Sequence, residues 1–289
     1  MLESTIKEKY DFDNEPINIG EYGYTYIIRD KKVKTEYLLK KLLKKKIDNN
    51  KYKKTFEEEL EFLINVKGKN IINVIDYYTN EKANFNYIIL EKMDGDLDDM
   101  LNLEKYSKGM PSNLIKKIFS QFNFALKIML EKKNISLPKY LKLSNILYSY
   151  TNEKKTDFVI KFGDLSLSRS SGSDMYKAPE ISETNTNKCM LYSIGLILYK
   201  LKTNEYIFGG NDLLEILTNK KNNKIKSDTN DTILNKLIKK LVVLDPKNRM
   251  DWSDYFKDPF FNETENNETQ TKASIIIYNI KILKKNYLI

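Results

Sequence analysis

Short apolar runs of strand type dominate residues 17–90. Three such runs are INIGEYGYTYIIRD, TEYLLKKL and NYIILEK, and the first and third are rich in the β-branched and aromatic residues that strands favour. Between the second and the third lies TFEEELEFLINV, in which Phe56, Leu60, Leu63 and Ile64 recur at the spacing of one helical face. The pattern therefore predicts a small β-rich lobe that contains one main helix.

Beyond Pro111 the apolar spacing becomes helical. The stretch SNLIKKIFSQFNFALKIMLEKK begins with Ser112 as a predicted N-cap and carries one apolar face. A later stretch, LYSIGLILYKL, is apolar nearly all round, as expected of a helix that is buried inside a larger lobe. We therefore predict a larger helical lobe after the small one, so the chain is of the α+β class and bilobal.

Shifts in composition predict where these parts begin and end. The predicted boundaries are residues 1–16 for an N-terminal extension, 17–91 for the small lobe, about 91–96 for the hinge, 97–261 for the large lobe, 262–272 for a polar linker and 273–289 for an amphipathic tail. In the tail, the apolar residues Ile276, Ile280 and Leu283 fall at helical spacing. We expect the tail to dock on its own large lobe or on a partner, and a membrane is the weaker alternative.

The net charge of +9 first suggests nucleic acid or an anionic membrane as a partner. The lysines are scattered, however, and arginine occurs only at Arg29, Arg169 and Arg249. Because arginine is the residue that recognises phosphate through paired hydrogen bonds, we do not expect specific nucleic-acid binding.

Scarce residue types exclude several kinds of chemistry. Cys189 is the single cysteine and the chain has no histidine, so we expect no internal disulfide, no Ser-His-Asp or Cys-His catalysis and no structural zinc site. The N-terminal residues are charged where a signal peptide needs an apolar run, and no run reaches membrane-spanning length. These features predict a cytoplasmic protein.

Several motifs occur in the order that the eukaryotic protein kinase superfamily has them. IGEYGYTY is similar to a glycine-rich loop, YLLK to the strand that carries the phosphate-binding lysine, and GSDMYKAPE to the end of an activation segment. Later, KCMLYSIGLILYKL and LDPKNRMDWSDYFKDPFF are similar to helices of the large lobe. Each motif is weak alone, but together they make residues 17–261 resemble a protein kinase, which implies the bilobal kinase fold.

The resemblance implies ATP and Mg²⁺ as ligands and assigns binding roles to particular residues. The nucleotide-binding residues would be Gly20, Gly23, Lys40, Glu59, Glu91, Met93 and Asp96, and the metal ligands would be Asn145 and Asp164. Lys40 and Glu59 would form the ion pair that holds the phosphates. From the residues alone, Lys40 could equally be a solvent-exposed lysine, Glu59 one of a run of glutamates and Asn145 a turn residue.

Three features of the expected adenine and phosphate site depart from the kinase pattern. Leu38 stands where kinases have a small alanine against adenine, and overpacking of that kind typically costs about 1–3 kcal/mol. Thr25 replaces the valine on the other side of the base. The glycine-rich loop is about two residues short, which leaves fewer N–H groups to bind phosphate. A shifted base would relieve the crowding, so these residues leave nucleotide binding open.

The catalytic loop has lost its central residue. In NISLPKYLKLSNILYS, Tyr140 stands where kinases carry the Asp that accepts the proton of the substrate hydroxyl, although Lys142 is retained. A phenol is protonated at neutral pH and too bulky for the same geometry. Pro138 and Met190 replace the His and the buried Asp that support this loop in kinases. We therefore interpret the loop as rebuilt in apolar form.

Glu180 and Arg249 match the carboxylate and guanidinium that kinases pair inside the large lobe, so the resemblance gives them a structural role. The leading hypothesis is a pseudokinase that binds another protein, such as an active kinase or a signalling complex. The alternative is a divergent Ser/Thr kinase, because the retained residues Lys40, Glu59, Asn145 and Asp164 would suffice to hold Mg-ATP.

Overall fold

The computed structural model describes most of the chain between residues 2 and 262. The described residues are 2–13, 15–20, 23–44, 60–61, 63–79, 84–132, 138, 140–163, 173–181, 187–210, 212–226 and 228–262. Glu59 and Asp164, which the sequence assigns to phosphate and metal binding, lie outside the described residues. So do the linker beyond Asn262 and the tail.

The described elements follow the predicted order of a β-rich part and then a helical part. The strands are β1 (Tyr10–Phe12), β2 (Asn18–Gly20), β3 (Gly23–Asp30), β4 (Glu36–Leu43), β5 (Val74–Tyr78), β6 (Phe85–Glu91), β7 (Gly95–Asp96), β8 (Ile146–Tyr150) and β9 (Phe158–Phe162). The helices are α1 (Leu2–Lys9), α2 (Leu97–Leu101), α3 (Ser112–Glu131), α4 (Lys188–Thr203), α5 (Leu213–Lys221), α6 (Thr232–Leu241) and α7 (Trp252–Tyr255). Residues 60–61 and 63–65 are also helical, within the stretch predicted as the main helix of the small lobe.

Within the described residues, six antiparallel strands form the sheet of the small lobe. Their order is β1-β3-β4-β6-β5, with β2 paired to β3. A second sheet, β7-β8-β9, lies at the start of the large lobe, which is otherwise helical. The α+β, bilobal prediction is therefore confirmed.

The small lobe begins earlier than residue 17, where the sequence pattern places its boundary. Strand β1 pairs with β3, and Ile6 of α1 and Tyr10 of β1 are buried with the outer-face residues of the sheet. The ammonium of Lys9 lies 3.3 Å from the Asp76 carboxylate on the far edge strand. Helix α1 thus covers the outer face of the sheet, a role that its mostly polar sequence does not reveal.

Strand β4 divides the small lobe into two apolar layers because its side chains alternate between the two faces of the sheet. Leu39 is buried in the outer cluster beneath α1, with Tyr37 packed against it. Leu42 is buried in the main core, and Leu38 packs against that core from the same face. The inner face of β4 therefore looks toward the large lobe.

Two long helices organise the large lobe. Helix α4 is buried from Cys189 to Tyr199, which confirms the helix predicted to be apolar nearly all round. The predicted cap of α3 is wrong by one position, because Pro111 is the N-cap and Ser112 is the first helical residue. The Ser112 hydroxyl instead donates to Asp231 at 2.5 Å, which joins α3 to the start of α6. Within the described part of the chain, no helix has the length and apolar content needed to span a bilayer.

The two lobes are joined by a short hydrogen-bonded contact as well as by the hinge. The backbone N–H of Phe162 donates to the carbonyl of Asn70, and that of Ile72 donates to the carbonyl of Phe162, both at 2.8 Å. The buried Asn70 amide also donates to the carbonyl of Ile160 at 2.7 Å. Since buried polar groups are costly to leave unpaired, this contact fixes the loop before β5 to strand β9.

Arg249 is fully buried and forms the most extensive polar contact of the large lobe described here. Its guanidinium donates to both carboxylate oxygens of Glu180, at 2.6 and 3.1 Å. It also donates to the carbonyls of Lys188, Val243 and Leu244 and lies over the Tyr192 ring at 4.9 Å. Burial alone would raise the pKa of Glu180, but the hydrogen bonds and charge of Arg249 lower it below its ordinary value.

We expect Arg249→Ala to reduce the free energy of unfolding by about 3–5 kcal/mol, because the Glu180 carboxylate would remain buried without its partner. Arg29→Ala is the matched control, since Arg29 pairs with Glu36 at 2.7 Å on the surface. Melting temperatures of both variants check the expectation. Equal shifts for the two arginines would contradict it.

Candidate active site

The inner face of β4 carries two of the residues that the sequence assigns to the nucleotide site. Lys40 lies on this face, opposite Ile88 of β6 and Thr25 of β3. Leu38 lies two residues earlier on the same face, opposite Leu90, and is half-buried against the main core. The structure therefore brings the predicted phosphate-binding lysine and the predicted crowding residue to one surface.

The glycine-rich segment forms a tight hairpin. Gly20 pairs directly with Gly23, so only residues 21 and 22 connect the two strands. A Cβ atom at Gly23 would lie 2.0 Å from the carbonyl oxygen of Lys41. Gly23 is thus required for close approach of β3 to β4. Residues 21 and 22 lie outside the described residues, so the expectation that this short connection offers few N–H groups to a phosphate stays a prediction.

The three residues predicted at the hinge have different structural environments. The Glu91 carboxylate accepts from the backbone N–H of Asn73 at 2.7 Å and pairs with Lys161 of β9 at 2.5 Å. This carboxylate is therefore occupied by one contact within the small lobe and one contact with the large lobe. Met93 is partly buried against the main core.

Asp96, the third predicted hinge residue, is the N-cap of α2. Its side chain accepts from the N–H groups of Asp98 and Asp99, and the Asp99 side chain accepts from the Asp96 N–H in return. Burial is the main reason that the pKa of Asp96 is raised. The capping role explains an acidic residue here without a ligand.

The end of the catalytic loop keeps a compact geometry. Lys142 and Asn145 are both buried, and the backbone N–H of Asn145 donates to the carbonyl of Lys142 at 3.0 Å. The N–H of Gly163 donates to the carbonyl of Asn145, also at 3.0 Å. The predicted metal ligand Asn145 is therefore held directly beside the residue that precedes Asp164.

The donor set suits Mg²⁺ in type, since an amide oxygen and a carboxylate are hard oxygen ligands. Asn145 supplies the amide, and the sequence supplies the carboxylate of Asp164. No group of three or more His, Cys, Asp or Glu side chains able to hold a metal occurs among the residues that the structure describes. The Mg²⁺ site therefore stays a prediction, because of its two expected ligands only Asn145 lies among the described residues.

Tyr140 is half-buried, and its ring faces the end of the activation segment. The ammonium of Lys177 lies 5.2 Å from the centre of the Tyr140 ring. Lys177 also pairs with the Asp174 carboxylate at 2.6 Å. We call Tyr140, Lys177 and Asp174 the tyrosine–lysine stack. The stack stands where the kinase pattern places the catalytic carboxylate.

The two residues that replace the polar supports of the kinase loop are both apolar. Met190 is fully buried in α4, in the main core of the large lobe, and Pro138 is half-buried. Neither side chain can accept a hydrogen bond of the kind that a buried carboxylate would accept from loop N–H groups. That the loop is rebuilt in apolar form stays a prediction, because residues 133–137 and 139 lie outside the described residues.

Sequence reasoning missed several polar residues around the cleft. Lys161 was not singled out, although it binds the hinge carboxylate of Glu91. Lys177 and Lys220 were not singled out either, since a chain with 49 lysines and arginines gives no compositional signal for any one of them. The contacts join residues that are distant along the chain, so periodicity could not reveal them.

Comparison with known proteins agrees with this architecture. A family model described as the protein kinase domain matches residues 13–261. The chain belongs to the protein kinase family. The resemblance inferred from the order of the motifs is thereby confirmed.

The curated relatives of this kinase-family chain are named as protein kinases. Calcium-dependent protein kinase 6 of Plasmodium berghei is 32% identical over 212 residues, which cover 70% of this chain and 14% of that protein. Calcium-dependent protein kinase 3 of Plasmodium yoelii yoelii is 25% identical over 279 residues, 89% of this chain and 49% of that protein. Serine/threonine-protein kinase atg1 of Dictyostelium discoideum is 25% identical over 232 residues, 75% of this chain and 34% of that protein. The chain thus spans at most about half the length of these relatives.

We expect Leu38→Ala to tighten Mg-ATP binding if the kinase-family cleft accepts nucleotide, because it removes side-chain volume beside Lys40. Lys40→Met should weaken binding by removing the phosphate-binding ammonium. Titration calorimetry with Mg-ATP measures both changes independently of protein stability. A Leu38→Ala variant that binds as the wild type does, or more weakly, would refute the crowding argument.

Proposed function

We propose that this kinase-family chain is a pseudokinase, which acts by binding another protein and does not transfer phosphate. The observation that carries the proposal is the tyrosine–lysine stack at the place of the catalytic carboxylate. A phenol hydroxyl is a much weaker proton acceptor than a carboxylate, and here it lies beside an ammonium group. General-base catalysis of the kinase type therefore has no base in this position.

The remaining groups do not replace the lost carboxylate. Lys142 could stabilise charge on a transferred phosphate, but such a group contributes little when the attacking hydroxyl is not aligned. Met190 and Pro138 leave the loop without the polar support that orients a catalytic Asp. The departures from the kinase pattern thus involve several positions. This favours loss of phosphate transfer, because a change of one residue alone could be compensated by its neighbours.

The proposed partner is another protein, such as an active kinase or a signalling complex, and the proposed location is the cytoplasm. Lys40, Asn145 and Asp164 are the residues that would hold Mg-ATP. When bound, Mg-ATP would contact both lobes and so stabilise their closed arrangement. Saturating ligand at about 100 times its dissociation constant would stabilise the folded chain by roughly 2.7 kcal/mol, so a thermal shift detects it.

A divergent Ser/Thr kinase is the second candidate. Two observations favour it: the chain retains Lys40 on the inner face of β4 and Asn145 beside Gly163, which precedes Asp164, and the relatives are named as protein kinases. Transfer of radiolabelled phosphate to a general substrate with Mg²⁺ or Mn²⁺ separates the candidates. Lys40→Met is the control, because transfer that persists in this variant comes from a contaminating kinase.

We expect Tyr140→Asp alone to leave the chain without kinase activity. The new carboxylate would lie on a loop without polar support, and a misplacement of about 1 Å can cost on the order of a hundredfold in rate. Repair should need at least Tyr140→Asp, Pro138→His, Met190→Asp and Leu38→Ala together. The check is the rate of radiolabelled phosphate transfer to a general substrate, measured for wild type, the single variant and the quadruple variant.

Activity in the single variant would show that the loop is not rebuilt. Transfer by wild type at a level comparable to the quadruple variant would overturn the pseudokinase proposal itself.

A further inference from the structure

Lys220 is a buried lysine near the end of α5, only 5% exposed. Its ammonium donates to the carbonyl of Asp174 at 2.8 Å and to the carbonyl of Met175 at 3.2 Å. It also lies over the Tyr192 ring of α4, at 5.7 Å from the ring centre. A buried ammonium is costly unless its hydrogen bonds are made, so these contacts constrain the backbone that supplies the carbonyls.

The next carbonyl along the chain is held in the same way. The buried Ser193 hydroxyl of α4 donates to the carbonyl of Tyr176 at 2.6 Å. The consecutive carbonyls of residues 174–176 therefore all accept from side chains of the large lobe. Lys177, which covers the Tyr140 ring, follows directly after them.

The charges around Lys220 come from the activation segment. Asp174 and Glu180 favour its ammonium form, whereas Lys177 opposes it. Burial is the larger effect and lowers the pKa of Lys220 from 10.5 to about 8. Between these two values the unfolded chain binds more protons than the folded chain, so the free energy of unfolding rises with pH in this window. The hydrogen bonds themselves weaken as the ammonium loses its charge.

We propose that Lys220 is a positioning residue. It holds residues 174–177 in place within the large lobe and thereby keeps the Lys177 ammonium over the Tyr140 ring in the tyrosine–lysine stack. The inference rests on the proposed function, because the stack is what occupies the place of the catalytic carboxylate. The end of the activation segment would then be fixed by an internal cation, with no requirement for nucleotide or phosphorylation.

Nitration of Tyr140 by tetranitromethane, read by mass spectrometry on nucleotide-free protein, tests the proposal. Lys220→Met should raise the rate of Tyr140 nitration several-fold, as should Lys177→Met, which removes the covering ammonium directly. Lys221→Met is the matched control, since Lys221 is the exposed neighbour on the same helix. Tyr255 is fully buried and should stay unmodified in every variant whose large lobe is folded. Equal Tyr140 rates in the Lys220 and Lys221 variants would overturn the proposal.

A second measurement uses the wild-type protein, so it tests the proposal even if Lys220→Met does not fold. Hydrogen exchange of the amides in residues 173–181, corrected for intrinsic rates, should show a gain of protection as the pH rises from 7 to 9, because an opening that exposes Lys220 returns its pKa toward 10.5 and therefore takes up a proton. The amides of α4 should show no such step. No difference between the two regions would overturn the proposal. Phosphate transfer by wild type would refute the pseudokinase function and leave both of these results unchanged, so the two failures are distinguishable.

Discussion

The buried contact between Arg249 and Glu180 is the interaction on which the rest of the large lobe depends. A guanidinium has five N–H donors in a rigid plane, and here they reach a carboxylate and carbonyls from separate parts of the chain. The end of the activation segment, the start of α4 and the loop after α6 are thereby held at one point. A lysine could not replace it, because a single ammonium group cannot reach these acceptors with the same geometry.

This anchor explains how the chain can keep a kinase fold while the sequence of its catalytic loop departs from the kinase pattern. The contacts of Arg249 lie below the cleft and do not involve Tyr140 or Leu38. The same segment that Glu180 anchors also carries Lys177, so the structural contact and the altered catalytic position are neighbours along the chain. A tyrosine at position 140 is therefore compatible with an intact large lobe, since the contacts of Arg249 do not depend on that residue.

Local patterns in the sequence were enough to predict the elements whose burial follows a regular spacing. The alternation in β4 and the apolar residues of α4 are of this kind, and the rarity of arginine drew attention to Arg249. Helix α1 could not be predicted because Ile6 is the main buried side chain in a polar stretch. The ring of Tyr140 and the ammonium of Lys177 meet through tertiary structure alone. The catalytic-loop motif therefore indicates that a tyrosine at position 140 is unusual, but it cannot indicate that Lys177 covers the ring.

Helix α1 also has a consequence for how the chain can be shortened. The family match begins at residue 13, which lies just beyond α1 and β1. A truncation at that boundary would remove Ile6 and Tyr10 and uncover the apolar side chains of Ile28, Leu39 and Ile89. It would also expose the hydrogen-bonding edge of β3, which β1 pairs with in the intact chain. A bare strand edge beside an apolar surface promotes self-association, so the shortened protein would tend to aggregate even though every kinase motif is retained.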